Sequence, residues 1–137
     1  MKKQFKREEW NKYRPEDWWE KNCPFCDTNS EEQKILIIWE WNFFHIRYNK
    51  YPYLGLEKHL LAIPNRHVVN SCEMIKEEQL ELDYVRNFMK DYYKWEDYFS
   101  FLRETNGGKS LNHMHYHFLP GKIFDTDIEN MLKKQWF

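Results

Sequence analysis

Short blocks of apolar residues in the first half of the chain predict β-strands. Residues 34–39 are rich in β-branched and aromatic side chains, and residues 42–48 alternate well enough to form a hairpin with them. Residues 60–63 are a further short apolar strand, which Pro64 ends. The polar stretch at 28–33 and the segment at 49–53 predict loops between these elements.

The second half of the chain combines helices with two more strands. Residues 76–93 predict a long helix, because apolar side chains recur there every three or four residues. The predicted apolar face consists of Leu80, Tyr84, Val85, Phe88, Met89 and Tyr92. Residues 99–105 and 111–119 predict strands. Thr126 and Glu129 have the spacing of a capping box and predict a last short helix that ends near Gln135.

The order of elements, strands then a helix then strands, indicates an α+β domain. We expect an antiparallel sheet of about five strands with one long helix and a short C-terminal helix. The 137 residues suit a single domain at 23–137, preceded by a tryptophan-rich N-terminal arm at 1–22.

Charge and hydropathy exclude several classes of function. A net charge of −1 provides no overall basic field to hold a nucleic-acid backbone. The longest strongly apolar run, residues 35–39, is too short to span a bilayer, and the charged N-terminus lacks a signal-peptide hydrophobic region. We therefore expect a cytoplasmic protein with no membrane or nucleic-acid partner.

Three histidines stand at alternate positions, His113, His115 and His117. In a strand, alternate side chains share one face, so the three imidazoles would lie in a row about 6.6–7 Å apart. Such a row is costly to bury without a purpose. Two chemical interpretations fit it: a metal site shared by imidazoles, or nucleophilic catalysis in which one imidazole attacks phosphorus.

Five separated motifs resemble those of the histidine triad (HIT) family of nucleotide hydrolases and transferases. Residues 113–119 read H-φ-H-φ-H-φ-φ, and residues 59–67 are similar to the family's H-φ-φ-φ-I-P-x-x-H segment. Residues 49–53 resemble its N-x-x-P-Y loop, 108–110 its G-Q-S/T, and 23–26 its C-x-F-C. The resemblance covers residues 23–120 in the expected order and implies a HIT-like fold that forms a homodimer.

The resemblance also implies roles for individual residues. His115 would be the nucleophile that forms a nucleotidyl-imidazole intermediate, His117 would support it and bind phosphate, and His59 would hydrogen-bond in the same cluster. Ser110 would lie near the leaving group. Four further residues would bind substrate: Asn49 at the ribose, Asn106 and Gly108 in the turn before the triad, and Lys109, a cation that replaces the family's glutamine.

The cysteine pair Cys23 and Cys26 supplies two zinc ligands in C-x-x-C spacing, so two more must come from elsewhere. By resemblance to a bacterial branch of the family, these are His67 and His113, and the zinc would be structural. A redox pair and two unliganded thiols remain alternatives. We expect Cys72 to be a small buried side chain and His45 to be structural or exposed.

The expected activity is hydrolysis or transfer of a nucleotidyl group at an α-phosphate, on dinucleoside polyphosphates or nucleoside phosphoramidates. One alternative is a nucleotidyltransferase or phosphorolase that uses phosphate as the acceptor. Another is a non-catalytic nucleotide-binding interaction module. The resemblance implies that the helix at 76–93 and the strand near 98–105 form the dimer interface. The aromatic stripe of the helix agrees with this, because it is wider than one sheet face needs.

Overall fold

The computed structural model describes residues 23–53, 57–105, 107, 109 and 111–135. The predicted N-terminal arm lies outside these residues. The elements follow one another as α1 (Glu31–Lys34), β1 (Ile37–Glu40), β2 (Phe44–Tyr48), β3 (Leu60–Pro64), a 3-10 turn (Ser71–Glu73), α2 (Lys76–Tyr92), β4 (Tyr98–Phe101), β5 (Tyr116–Pro120) and α3 (Asp125–Gln135).

The five strands form one antiparallel sheet in the order β1-β2-β3-β5-β4. This confirms the predicted α+β class and the predicted sheet. Strand β5 is inserted between β3 and β4, so its residues contact a strand on each side. Among the described helices, none is long and apolar enough to cross a membrane.

Several predicted boundaries are wrong. Residues 31–34, expected in a loop or a strand, form α1, because the Ser30 side chain accepts the Gln33 N–H at 3.4 Å and starts a helical turn. The predicted strand at 99–105 ends at Phe101, and the one at 111–119 begins only at Tyr116. Helix α3 starts at Asp125, so the predicted capping box at Thr126 is wrong; the Asp127 carboxylate instead accepts the Phe124 N–H at 3.0 Å.

Helix α2 has the predicted length, and most of its predicted apolar face lies at the core: Val85 and Met89 are buried, and Phe88 and Tyr92 pack against the core. Leu80 and Tyr84, expected in the core, are 59% and 61% exposed. The helix also buries three side chains that were not in the predicted face, Glu78, Glu81 and Leu82. The buried apolar side chains of the helix pack toward a core that includes Phe44, Ile46, Leu60, Ala62 and Phe118.

Two buried carboxylates explain why the buried face of the helix extends beyond the predicted apolar residues. Glu81 Oε1 accepts the backbone N–H groups of Phe43 and Phe44 at 2.9 and 2.8 Å, at the point where β2 begins. Glu78 accepts the Ile75 N–H and the Arg66 guanidinium, at 2.9 and 2.8 Å. These hydrogen bonds offset the free-energy cost of burying the two carboxylates. The periodicity of apolar residues cannot predict such burial, because it carries no information about hydrogen-bond partners.

The homodimer stays a prediction. Strand β4 lies at an edge of the sheet, and the exposed Leu80 and Tyr84 lie on the solvent side of α2. Both elements of the predicted interface therefore have surface available for a second copy. Cys72, in contrast, is exposed and not the buried side chain that we expected.

Glu81→Ala should lower the free energy of unfolding by about 2–4 kcal/mol, because it leaves two backbone donors unpaired. Glu81→Gln should cost less, since an amide oxygen can still accept. Asp83→Ala, an exposed carboxylate on the same helix, is the control and should stay within about 0.5 kcal/mol of wild type. Urea unfolding measures all three, and a Glu81→Ala protein as stable as this control would contradict the assignment.

Candidate active site

The three triad histidines do not share one strand. His117 lies in β5, opposite Leu61 of β3 and Phe101 of β4. His113 and His115 precede the strand in an irregular segment, where Met114 N–H donates to Val68 O at 2.6 Å. The prediction of one row of imidazoles is therefore wrong. The bond to the loop after β3 turns the backbone away from the ladder, so each imidazole reaches different surroundings.

A chain of hydrogen bonds fixes which nitrogen of His59 and of His117 carries the proton. The Tyr53 backbone N–H donates to His59 Nδ1 at 3.2 Å, so His59 Nε2 must carry the hydrogen. His59 Nε2 then donates to His117 Nδ1 at 2.9 Å. His117 is left with its hydrogen on Nε2, a buried atom with no hydrogen-bond partner in the described part of the chain.

Aromatic rings hold His117 in its orientation. Phe101 is stacked on its imidazole at a centroid distance of 4.4 Å and an angle of 9°. Tyr53 is stacked near it as well, at 5.5 Å and 22°. The Nε2–H of His117 is therefore a donor in a fixed position, because the ring that carries it is held by stacking on both aromatic residues.

His115 is oriented by the backbone. Its Nδ1 lies 2.8 Å from His113 O, and because a carbonyl only accepts, Nδ1 carries the hydrogen. The lone pair is then on Nε2, for which no hydrogen-bond partner is found among the described residues. Phe25, from the segment between the cysteines, contacts the imidazole edge-on at 5.0 Å. A neutral imidazole with a free Nε2 lone pair can act as a nucleophile.

His115 and His117 line a cavity of about 730 Å³. Asn49 lies in the same wall, where its Oδ1 accepts the Tyr51 N–H at 2.9 Å and its Nδ2 lies 3.3 Å from the His59 ring nitrogens. Lys109 also lines the cavity, with its Nζ donating to Val69 O at 2.8 Å. Of the other predicted site residues, Ser110, Asn106 and Gly108 lie outside the described residues.

Burial keeps the imidazoles of the site neutral. It lowers the pKa of His115 to about 4, helped by the cations Lys109 and Arg103. It lowers the pKa of His117 to about 2 and that of His59 to about 4, with His115 contributing to both. Both nitrogens of a protonated imidazole would be donors, so the neutral state preserves the Nε2 lone pair of His115.

The four predicted metal ligands come together on the other side of His113. Cys23, Cys26, His67 and His113 bring one ligand atom each to within 4.8 Å of one another. Cys26 Sγ lies 3.2 Å from His67 Nδ1 and 3.4 Å from His113 Nδ1. The sulfur–nitrogen edge of a tetrahedral zinc site is about 3.5 Å, so these separations fit one ion.

The tautomer of His113 also fits metal binding. Its Nε2 donates to Pro64 O at 2.7 Å, which leaves the Nδ1 lone pair directed at the cysteines. Burial first, and then the neighbouring Cys23, raises the pKa of the Cys26 thiol to about 12. A cation among the four groups would reverse this preference and favour the thiolate.

Arg47 attaches the cysteine segment to the sheet, a role that the sequence analysis did not predict. The Arg47 side chain is buried, and its Nη1 donates to Gln33 Oε1 at 2.8 Å and to Pro24 O at 3.4 Å. His45 is buried and structural: its Nδ1 donates to Asn65 Oδ1, and its Nε2 accepts from Arg47. In the sequence, these two roles were indicated only by the spacing of His45 and Arg47, which lie two positions apart on β2 and so share one face.

Arg103 is a second residue that was missed. It lines the cavity, with its guanidinium 5.1 Å from the centroid of the Phe101 ring. It was assigned to a strand, but β4 ends at Phe101 and the chain then turns toward the cavity. A lone arginine near a strand end carries no motif, so only the fold places it at this site.

Several solved structures have this fold. The diadenosine triphosphate hydrolase of Plasmodium falciparum, solved with cyclomarin A, is 21% identical over 74% of this chain and 71% of its own, with a TM-score of 0.58. A HIT family hydrolase from Legionella pneumophila is 21% identical over 74% of this chain and 95% of its own, with a TM-score of 0.56. A hypothetical histidine triad nucleotide-binding protein from Sulfolobus tokodaii is 24% identical over 76% and 74%, with a TM-score of 0.58.

These similarities confirm the HIT-like fold that the motifs predicted. No protein-family model and no curated protein matches the sequence. At identities of 21–24%, the structures support the fold of this chain and not its activity.

Acidification should destabilise the protein well above the range in which carboxylates titrate. Five buried histidines have a lowered pKa in the folded state: His45, His59, His113, His115 and His117. Unfolded histidines bind a proton near pH 6.5, so below that pH the unfolded state takes up protons that the folded state excludes. Stability is therefore complete above pH 6.5 and falls as the pH drops.

Urea unfolding at pH 7.5, 6.5 and 5.5 measures this loss. At pH 5.5 each such histidine should cost about 1.4 kcal/mol. His45→Gln, which removes one of the five outside the cavity, should reduce the slope by about one proton. A free energy of unfolding that is unchanged between pH 7.5 and 5.5 would show that these imidazoles are not held neutral.

Proposed function

We propose that this chain is a member of the HIT family and transfers or hydrolyses a nucleotidyl group at an α-phosphate through a covalent intermediate on His115. The observation that supports this most is the pairing of two fixed groups in one cavity. His115 offers a free Nε2 lone pair, and His117 offers an unpartnered Nε2–H donor.

In the first step, His115 Nε2 attacks the α-phosphorus. A P–N bond forms, the bond from phosphorus to the leaving group breaks, and the leaving group departs with the electron pair. The His115 ring becomes positive, and its Nδ1–H bond to the His113 carbonyl stabilises that charge. The His117 Nε2–H donates to a phosphoryl oxygen, which repays the burial of that donor.

In the second step, an acceptor oxygen attacks the phosphorus and the P–N bond breaks, returning its electron pair to His115 Nε2. With water as acceptor, the product is a nucleoside monophosphate and one proton is released. Splitting one displacement into two lowers the barrier to each. The Asn49 side chain lies in the same wall and is our candidate for the ribose hydroxyls.

The proposed substrates are dinucleoside polyphosphates or nucleoside phosphoramidates. The cavity is large enough for one nucleotide, and ligand cavities commonly span about 300–1,000 Å³. The similar Plasmodium falciparum structure is named a diadenosine triphosphate hydrolase, which agrees with the first class. A product analysis also separates hydrolysis from transfer to phosphate, because the two acceptors yield different nucleotides.

We also propose that the metal of the Cys23, Cys26, His67 and His113 cluster is zinc with a structural role. All four positions would be occupied by protein ligands, so no open position remains for substrate or water. The ion would tie the cysteine segment to the loop after β3 and to the segment before β5. Through His113, whose carbonyl orients His115, it would also stabilise the nucleophile.

His115→Ala should lower kcat at least about 1,000-fold, because no other described group can form the intermediate. Binding of adenosine monophosphate should be retained. His117→Ala should be milder, since it removes a donor and not the nucleophile. Denaturation at alkaline pH during turnover preserves the acid-labile P–N bond, and mass spectrometry should then find one adenylyl group on wild type and none on His115→Ala. A near-wild-type kcat in His115→Ala would refute the mechanism.

Purified protein should contain about one zinc per chain. Cys26→Ser should lose the metal and melt at a lower temperature, because site formation is coupled to folding. Cys72→Ser removes an exposed cysteine outside the cluster and is the matched control; it should keep both. Metal analysis and thermal melts measure the outcome, and normal zinc in Cys26→Ser would show that this ligand set is wrong.

A further inference from the structure

The wall of the cavity carries more positive than negative charge. Among its described residues, the cations are Arg47, Lys50, Arg103 and Lys109, and the one carboxylate is Glu32. Arg47 is occupied by Gln33, His45 and backbone carbonyls, and Lys50 bonds Glu32. Arg103 and Lys109 are therefore the two cations of this wall that are neither paired with a described carboxylate, as Lys50 is, nor surrounded by described hydrogen-bond acceptors, as Arg47 is.

Lys109 is unusual because it is buried as a cation. Its side chain is only 5% exposed, and its single described hydrogen bond is to Val69 O at 2.8 Å. An ammonium has three donors, so two of them have no partner among the described residues. The carboxylates with the largest electrostatic influence on Lys109 are Glu104 and Glu73. Both are exposed; Glu104 accepts a hydrogen bond from Ser71, and Glu73 accepts one from Asn70. Burying a cation without a contacting carboxylate is costly, which indicates that an anion is its natural partner.

Arg103 contacts an aromatic ring, and no described residue accepts a hydrogen bond from it. Its guanidinium lies over the Phe101 ring at 5.1 Å, and Phe101 is itself stacked on His117 at 4.4 Å. This cation–π contact places the charge one ring away from the His117 imidazole. The donors of the guanidinium remain available for oxygen atoms in a bidentate arrangement.

We propose that Arg103 and Lys109 form a subsite for an anionic leaving group, so that the site selects phosphate-linked nucleotides over nucleoside phosphoramidates. This inference rests on the proposed function and names its substrate class. When the P–O bond breaks, the departing oxygen takes the electron pair and carries negative charge, which the two cations stabilise. An amine that leaves from a P–N bond must gain a proton and carries no negative charge for them to bind.

Binding measurements test the subsite independently of turnover. Calorimetry compares adenosine monophosphate with α,β-methylene-ADP, whose P–C bond is not cleaved and whose β-phosphate occupies the leaving-group position. Two charge-assisted contacts predict that wild type binds the second ligand about 100-fold more tightly. Lys109→Gln and Arg103→Gln should each reduce this ratio about tenfold. Lys122→Gln changes the net charge equally on the outer surface and should leave the ratio unchanged.

Two outcomes would overturn the proposal: equal affinities of wild type for the two ligands, or a ratio that neither cavity variant changes. Arg103 is only half-buried, so Arg103→Gln keeps the test valid if Lys109→Gln fails to fold. Turnover of diadenosine polyphosphate and of an adenosine phosphoramidate separates the two proposals. A high binding ratio without turnover of either substrate contradicts the enzyme alone, and turnover with a ratio of one contradicts the subsite alone.

Discussion

The burial of several imidazoles in contact with one another is the constraint on which this site depends. Each must stay neutral, and each tautomer is set by a backbone group that cannot change its role. The Tyr53 N–H can only donate, so it determines the His59 and His117 protons. The carbonyls of His113 and Pro64 can only accept, so they determine those of His115 and His113. The backbone thus fixes one lone pair and one donor in the cavity.

The candidate metal cluster and the candidate nucleophile are connected through a single residue. The His113 ring faces Cys23 and Cys26, while the carbonyl of the same residue accepts the His115 Nδ1–H. Phe25, between the two cysteines, contacts His115 directly. Arg47 holds this segment on strand β2 through Pro24. The orientation of His115 therefore depends on the stability of the cysteine segment, although the four candidate ligands lie outside the cavity.

Neutral imidazoles leave the site without positive charge of its own, and the cations in the wall supply it. Arg103 and Lys109 lower the pKa of His115, so the same charges that favour an anionic ligand also keep the lone pair available. Phe101 contributes to both functions, because it contacts the His117 ring and the Arg103 guanidinium. Arg103 and Lys109 thus supply the positive charge, while the neutral His117 supplies a hydrogen-bond donor.

The sequence alone was enough for the class of fold, the antiparallel sheet, the long helix and the four cysteine and histidine residues that come together as candidate metal ligands. The fold depends on local periodicity and on the order of the elements, and His67 and His113 were identified as candidate ligands by the resemblance to a known family. The tertiary structure decided the rest. His113 and His115 lie outside the strand because the Met114 N–H donates to the Val68 carbonyl and not to a neighbouring strand. Glu81 entered the core because two N–H groups at the start of β2 needed an acceptor. Arg103 reached the cavity because β4 ends at Phe101. In each case a partner distant in the sequence determines the outcome, and periodicity carries no information about such partners.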